Sequence, residues 1–303
     1  MKCPLCESRE TTLVKTNMGG SPSHPAFGVG NLECRQCGFV FSDFIHPQVL
    51  DYFYTYYCRH GTSAEGIEDI RENARAGGES QLKTMQPFLP EKVGRILDFG
   101  GGHGETARLF LPYSDEVYIV EQDPVCIEHI KKEPCLNLIT GDDLTAEEYI
   151  GFFDLVILSN VLEHLTFPIR QVQFFSRILD KDGLFFVEVP SESEFLKKST
   201  LQMPQHINFF SPATFKSLIG RQGSFDFVDF RTCGPSIDDM VAARSILHDF
   251  GNQNNPNGWV IRALLKNSRP KLDVIEMNID MEDCEEILAS LSEYLFRSAD
   301  TFR

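Results

Sequence analysis

The chain has 303 residues, of which 42% are hydrophobic and 24% are charged, and its formal net charge is −16. No apolar run approaches the ~20 residues that span a bilayer, and the N-terminus lacks the apolar segment of a secretory signal. We therefore expect a cytoplasmic protein with one large core and a small additional module. Its acidic balance makes nucleic acid an unfavourable partner, because phosphates repel it.

Two Cys-x-x-Cys pairs mark the N-terminal segment. The pairs are Cys3 with Cys6 and Cys34 with Cys37. Four thiolates in this arrangement predict a tetrahedral structural zinc site, so residues 1–45 are predicted to form a zinc-ribbon module. The alternative is a set of unrelated thiols or a disulfide. Between the pairs, a stretch rich in Gly, Pro and Ser at residues 19–30 predicts an exposed, mobile loop.

Residues 46–93 are predicted to be a helical linker that joins this module to a larger domain. Residues 64–86 are polar and charged, which predicts an exposed helix. Four tyrosines within residues 52–57 form an aromatic cluster. Packing against the main domain is the favoured interpretation, since large aromatic side chains dominate buried contacts, and a lid over a ligand is the alternative.

The most informative segment is ILDFGGGHGET, at residues 96–106. An apolar run ends at Asp98, and glycines and a helical pattern follow, which predicts a strand, a tight turn and a helix start. Glycines let the backbone approach a ligand closely, and the helix start presents unpaired N–H groups. The dinucleotide spacing G-x-G-x-x-G fails, because Glu105 stands at the third position counted from Gly100 and Gly102. A glutamate there favours a ligand with an ammonium group and little phosphate.

Further apolar runs follow, and several of them end in polar side chains. The runs lie at residues 116–120, 138–140, 154–158 and 184–189. Continuous apolar runs are typical of parallel strands buried on both faces, and helical patterns at residues 161–165 and 169–179 lie between them. Glu121 follows the glycines at a distance from which a carboxylate accepts hydrogen bonds from ribose hydroxyls.

In this order and spacing, the segments LDFGGGHG, VEQD, GDD, FDLVILSNVLEHL and GLFFVEVP resemble class I S-adenosylmethionine-dependent methyltransferases. The resemblance implies an α/β fold with a Rossmann-like seven-stranded sheet over residues 94–268. Residues 225–230 and 259–265 would supply its last, antiparallel strands. S-adenosylmethionine is the implied cofactor, with Asp142 reaching the adenine amine. The implied cofactor-binding residues are Asp98, Gly100, Gly102, Glu121, Gln122, Asp142, Asp143 and Asn160.

Two histidines are candidate catalytic residues. The segment QMPQHINFFSP, at residues 202–212, resembles a stretch of methyltransferases of sugar and polysaccharide biosynthesis, several of which also carry a four-cysteine zinc module. That resemblance makes His206 the candidate base, with Gln205 or Asn208 contacting the substrate; a structural histidine is the alternative. His164, in the Glu-His pair after the apolar run at residues 154–158, is the second candidate. A structural or cofactor-adjacent role is favoured for it.

The leading prediction is methyl transfer to a small or nucleotide-linked sugar or a polysaccharide intermediate. Oxygen is favoured over carbon as the acceptor, because the family often has Glu where Gln205 stands. The short segment after Lys266, where sugar C-methyltransferases carry a second large domain, favours oxygen too. The alternatives are an RNA methyltransferase with a zinc module and a non-catalytic binding protein of the same fold. Residues 269–303 predict an acidic amphipathic helix, which packs on its own domain or forms a homodimer contact.

Overall fold

The computed structural model describes residues 2–21, 24–43, 64–139, 144–145, 147–200, 206–243 and 251–269. These residues form two β-sheets, and helices pack around the larger one. The strands are β1 (Thr11–Ser21), β2 (His24–Cys34), β3 (Val40–Ser42), β4 (Val93–Phe99), β5 (Ser114–Val120), β6 (Asn137–Ile139), β7 (Phe153–Ser159), β8 (Leu179–Pro190), β9 (Asn208–Phe209), β10 (Phe225–Ser236) and β11 (Gly258–Asn267). Within these ranges, no helix combines the length and the apolar character that a membrane span requires.

The larger sheet has seven strands in the order β10-β11-β8-β7-β4-β5-β6, which confirms the predicted Rossmann-like architecture. Strands β4 to β8 are parallel, whereas β11 pairs antiparallel with both β8 and β10. The chain passes from β4 to β5 and β6 on one side and then to β7 and β8 on the other. In open α/β sheets, ligands bind beyond the carboxyl ends of the strands at such a switch point.

The central strand β7 is buried on both faces. Its residues Leu155, Val156, Ile157 and Leu158 are each 0% exposed. This agrees with the continuous apolar run, because a strand with one face in water would alternate apolar and polar residues.

Seven α-helices are found in the described parts of the chain. They are α1 (Ala64–Met85), α2 (Glu105–Phe110), α3 (Pro124–Ile130), α4 (Pro168–Ile178), α5 (Glu192–Lys198), α6 (Pro212–Gln222) and α7 (Ile237–Ala243). Helix α4 confirms the pattern at residues 169–179. The helix predicted at residues 161–165 is wrong: this buried segment forms turns, in which the His164 N–H donates to the Val161 carbonyl at 2.9 Å. Five residues are too few to nucleate a helix on apolar pattern alone.

Helix α1 confirms the helix predicted at residues 64–86, but it is exposed only in part. One face of its last two turns is buried against the sheet, where Gln81 is 3%, Thr84 1% and Met85 0% exposed. The polar composition hid this contact, because Gln81 and Thr84 are buried by hydrogen bonding to polar groups of the larger sheet.

The smaller sheet has the order β1-β2-β3-β9. Strands β1 and β2 form an antiparallel hairpin from Thr11↔Cys34 to Ser21↔His24. The loop predicted at residues 19–30 is therefore wrong over most of its length, since ladder hydrogen bonds hold Gly and Pro residues in strands despite their low β-propensity. The fourth strand, β9, comes from the region that follows β8, so the N-terminal sheet is completed by the larger domain.

Candidate active site

A glycine turn joins β4 to α2 at the switch point of the sheet. Gly100, Gly102 and Gly104 have φ values of +74°, +54° and +80°, a region that favours glycine. A Cβ on Gly100 would lie 2.6 Å from Cγ2 of Val161, so this turn also packs too closely for a side chain. The Gly100 N–H donates to the Val120 carbonyl at 2.8 Å. The predicted strand, turn and helix start are thus confirmed.

Two acidic side chains border this turn. Asp98 is 2% exposed, and its Oδ2 has no hydrogen-bond partner among the described residues. Burial, together with the charge of Glu121, raises the pKa of Asp98 to about 7. Glu121 accepts hydrogen bonds from the N–H groups of Gly102 and Gln122, both at 2.7 Å. The structure therefore brings together Asp98, Gly100, Gly102, Glu121 and Gln122 of the predicted cofactor residues.

The Glu105 carboxylate pairs with arginine side chains, which corrects the expectation that it favours a ligand with an ammonium group. Its side chain is 4% exposed and lies 2.6 Å from Nε of Arg71 and 2.8 Å from Nη1 of Arg108. Burial alone would raise the pKa of Glu105, but these arginines and Arg75 outweigh it and lower the pKa. The carboxylate fastens α1 to α2. Arg71 lies 34 residues earlier in the chain, so local spacing did not reveal the contact.

Asn160 follows β7 on the other side of the switch point. It is exposed and adopts φ +53°, and its N–H donates to the Glu188 carbonyl at 2.9 Å. The Glu188 carboxylate accepts hydrogen bonds from Gln81 of α1 at 2.9 Å and from Arg262 of β11 at 2.5 Å. This network holds α1 and β11 against the strand ends that carry Asn160.

Four ionisable side chains meet after the carboxyl ends of β7 and β8: Glu163, His164, Glu192 and His206. Nδ1 of His206 lies 2.5 Å from Oε2 of Glu192, and the rings of His164 and His206 are 4.7 Å apart and nearly perpendicular. Burial lowers the pKa of His206 to about 3 and raises the pKa values of Glu163 and Glu192. The structure thus places the two candidate catalytic histidines in one cluster.

Glu192 was missed by sequence reasoning. It is 1% exposed and is the first residue of α5, two residues after β8 ends at Pro190. An acid directly after the carboxyl end of a buried parallel strand is the signal that was available, since such ends meet at the binding edge of the sheet.

The segment that carries His206 is held by the N-terminal sheet. The Ser42 hydroxyl donates to the His206 carbonyl at 3.1 Å, and the Ser42 N–H donates to the Ile207 carbonyl at 2.9 Å. The Asn208 side chain faces the protein interior, which corrects the expectation of a substrate contact. It is 2% exposed, and its side-chain amide donates to the carbonyls of Leu162 and Leu165 at 3.1 and 2.7 Å.

The four N-terminal cysteines form a compact group. The Sγ atoms of Cys3 and Cys37 are 3.6 Å apart, those of Cys6 and Cys34 are 3.4 Å apart, and all four lie within 4.8 Å of one another. These distances are too long for a disulfide, which needs ~2.05 Å. A tetrahedral zinc with bonds of ~2.3 Å separates its sulfurs by about 3.8 Å, so the geometry fits a zinc site.

Some predicted features lie outside the described residues and stay predictions. They are Asp142 and Asp143 as cofactor ligands, Gln205 as a substrate contact, the aromatic cluster at residues 52–57 and the C-terminal helix.

Comparisons with known proteins place this geometry in a family. A family model for a methyltransferase domain matches residues 71–226, more than half of the chain. No curated protein matches the chain in sequence. Among solved structures, a methyltransferase of Haloferax volcanii, in complex with the Trm112 methyltransferase activator, is 13% identical with a TM-score of 0.52, and the match covers 73% of this chain and 98% of that one.

Two further structures have lower TM-scores. The PH0226 protein of Pyrococcus horikoshii is 15% identical with a TM-score of 0.48, over 72% of this chain and 98% of that one. An S-adenosylmethionine-dependent methyltransferase of Mesorhizobium loti is 14% identical with a TM-score of 0.46, over 62% of this chain and 98% of that one. At these sequence identities, the similarity to solved structures shows the fold alone.

The residues at the switch point fit S-adenosylmethionine. The buried Oδ2 of Asp98, which has no partner among the described residues, suits the ammonium group of the cofactor. A Cβ on Gly102 would meet nothing within 4 Å, so the turn leaves open space there. With the family match and the seven-stranded sheet, these features identify the chain as a member of the methyltransferase-domain family and as an S-adenosylmethionine-dependent methyltransferase.

Proposed function

We propose that the enzyme methylates a hydroxyl oxygen of a small or nucleotide-linked sugar or of a polysaccharide intermediate. The observation that carries this proposal is the buried pair of His206 and Glu192, whose Nδ1 and Oε2 atoms are 2.5 Å apart. A hydroxyl must lose its proton to attack a methyl group, and an imidazole oriented by a carboxylate is a common acceptor for that proton. The resemblance of residues 202–212 to sugar methyltransferases supports the substrate class.

When bound, S-adenosylmethionine supplies an electrophilic methyl group. The side chains of this protein bind the cofactor and the acceptor and orient them relative to each other. Glu121 and the glycine turn bind the cofactor, and the cluster of Glu163, His164, Glu192 and His206 binds the acceptor. In the simplest use of this geometry, the His206 Nδ1–H donates to Glu192, and Nε2 is left to accept the hydroxyl proton. In the sequence, Gln205 stands where related enzymes often have Glu, which supports oxygen over carbon as the acceptor atom.

We also propose that Cys3, Cys6, Cys34 and Cys37 bind one structural zinc ion. Four protein thiolates close the coordination sphere of zinc, so the ion would have no open position for substrate. Its contribution is to hold the N-terminal sheet, of which β3 contacts the segment that carries His206.

The test is methyl transfer by the purified protein, with S-adenosylmethionine and a panel of nucleotide sugars, glycans and RNA as acceptors. We expect transfer to a sugar or glycan. His206→Gln should lower kcat by about 10²–10⁴, with unchanged affinity for S-adenosylmethionine. His129→Gln, a matched change on α3, should leave kcat close to wild type. Methylation of RNA with none of any sugar or glycan would reject the proposed substrate class.

A further inference from the structure

A candidate metal site lies within the cluster of Glu163, His164, Glu192 and His206. Glu163, His164 and His206 each offer one ligand atom, and these three atoms lie within 4.8 Å of one another. Glu163 and His164 are buried, and the His206 side chain is 13% exposed. We propose that these three residues bind a divalent cation of a first-row transition metal, in a site separate from the four cysteines.

The charge balance of the cluster favours a cation. Glu163 and Glu192 are each 1% exposed, and each has one carboxylate oxygen with no partner in the described part of the chain. Within the described part of the chain, neither acid forms a salt bridge with Arg or Lys. Glu163 pairs with His164, and Glu192 pairs with His206. Buried carboxylates without a compensating positive charge are costly. A bound dication removes that cost and gives the free oxygen of Glu163 a partner.

The ligand residues are already held close together. The N–H groups of Ile207 and Asn208 both donate to the Glu163 carbonyl, at 2.9 and 3.0 Å, so the two ligand-bearing segments are tied together. Bonds of ~2.1 Å allow at most about 4.2 Å between two ligand atoms. Because the three atoms lie within 4.8 Å of one another, an approach of at most about 0.6 Å brings every pair within this limit, and small side-chain rotations provide it.

Glu192 has the place of an outer partner for a metal-bound histidine. Metal-binding histidines usually donate their second ring N–H to a carboxylate, which fixes the ring and its tautomer. His206 meets this condition, because its Nδ1 lies 2.5 Å from Oε2 of Glu192. We therefore assign Nε2 to the cation. Glu192 is therefore inferred to be a positioning residue and not a ligand.

The donor set indicates which metals bind. Two imidazoles and one carboxylate favour Mn²⁺, Fe²⁺, Co²⁺ or Zn²⁺ over Ca²⁺ and Mg²⁺, which prefer oxygen ligands. Three protein ligands leave coordination positions open, as in catalytic metal sites. These positions suit hydroxyl oxygens of an acceptor.

A role for this cation in the reaction rests on the proposed function. With the cation bound, His206 is a ligand and no longer accepts the hydroxyl proton. The metal instead promotes loss of that proton by lowering the pKa of the coordinated hydroxyl. The hydroxyl proton passes to solvent water when the oxygen coordinates. The oxygen then forms a bond to the methyl carbon as the sulfur–methyl bond breaks, which leaves a methyl ether and S-adenosylhomocysteine.

Binding is tested with Mn²⁺, which thiolates bind weakly and which is detected by electron paramagnetic resonance. The zinc-loaded full chain should bind one Mn²⁺. Glu163→Gln, His164→Gln and His206→Gln should each weaken Mn²⁺ binding at least tenfold, and Glu192→Gln should weaken it about tenfold. His129→Gln is the matched control and should bind as wild type does. Affinity for S-adenosylmethionine, measured on every variant, reports that each one is folded.

The outcomes separate this site from the proposed function. No Mn²⁺ binding by wild type, or equal binding by wild type and the three ligand variants, would overturn the site. If Mn²⁺ binds as expected but no sugar or glycan is methylated, the proposed function fails and the cation site stands. If a sugar is methylated, the rate should fall after dialysis against EDTA and return with Mn²⁺ while the zinc content is unchanged.

Discussion

Asp98 occupies a position where a carboxylate is costly unless a positive group binds beside it. It is fully buried at the end of β4, and its Oδ2 lacks a partner in the described structure. The raised pKa of about 7 expresses this cost, since the ordinary value is 3.8. A raised pKa of an acid means that the folded state favours the protonated form. The destabilising effect is therefore absent below about pH 4 and grows as the pH rises towards 7.

Replacement of Asp98 by Asn should separate stability from cofactor binding. At pH 8 we expect the Tm of the ligand-free protein to rise by about 5 °C, because the buried charge is removed. At pH 4 the two proteins should have nearly equal Tm values, since Asp98 is then protonated. Affinity for S-adenosylmethionine should fall at least tenfold, about 1.4 kcal/mol. Thermal unfolding at both pH values and calorimetric titration check these expectations.

The control for this substitution is Asp226→Asn, which makes the same chemical change at an exposed position on β10. It should alter neither the Tm nor the affinity. A Tm difference between Asp98→Asn and wild type that is equal at the two pH values would contradict the buried-charge explanation. Unchanged affinity would remove Asp98 from the cofactor site.

At the scale of elements, α1 is the piece that connects the cofactor turn with the sheet. Its first turns hold Arg71, which binds Glu105 of α2, and its last turns hold Gln81, which binds Glu188 of β8. Arg262 of β11 donates to the hydroxyl of Ser80 at 2.8 Å. The helix thus contacts both sides of the switch point, and its distance from α2 depends on a glycine.

Gly78 sets the packing distance between α1 and α2. A Cβ there would lie 2.9 Å from both Cδ1 of Leu109 and Oγ1 of Thr106, and 3.2 Å from the backbone of Thr106. Alanine usually stabilises a helix interior by about 1 kcal/mol relative to glycine. Here the added methyl group pushes the helices apart, so Gly78→Ala should lower the free energy of unfolding by about 1 kcal/mol. Urea denaturation measures this difference.

Gly220 of α6 provides the matched control, because a Cβ at this exposed helical position would meet nothing within 4 Å. Gly220→Ala should therefore raise the free energy of unfolding by about 0.5–1 kcal/mol. Equal stabilisation by the two substitutions would show that Gly78 does not determine the packing distance.

At the scale of the whole molecule, local patterns predicted the elements but not the contacts between them. The strand–turn–helix around Gly100 and the acid at Glu121 were readable, because they lie within one supersecondary unit. The contact of Gln81 with Glu188 joins residues 107 apart, and that of Ser42 with His206 joins residues 164 apart. No rule of sequence spacing predicts contacts between residues so far apart in the chain. The strands within residues 19–30 were missed for a related reason, since pairing between strands overrode local composition.

The N-terminal sheet directly supports the segment that carries His206. Strand β3 pairs with β9 through Val40↔Phe209 and Phe41↔Asn208, directly after His206. Phe39 also contacts Phe210, with ring centroids 5.5 Å apart. The cysteines at the base of this sheet are thus linked through β2 and β3 to the segment that carries His206. The glycine turn, Asp98 and Glu121 lie on other elements and do not pair with this sheet.

Loss of the cysteine site should therefore impair the acceptor side and spare the cofactor side. Cys6→Ser is expected to remove zinc and to lower kcat for methyl transfer at least tenfold, while affinity for S-adenosylmethionine changes less than twofold. Hydrogen exchange should become faster at the amides of Ile207 and Asn208, which donate hydrogen bonds to the Glu163 carbonyl in the intact protein. Cys135→Ser, at an exposed cysteine outside the module, should change none of these quantities. Full activity and unchanged exchange in zinc-free Cys6→Ser would mean that the larger domain holds His206 without the N-terminal sheet.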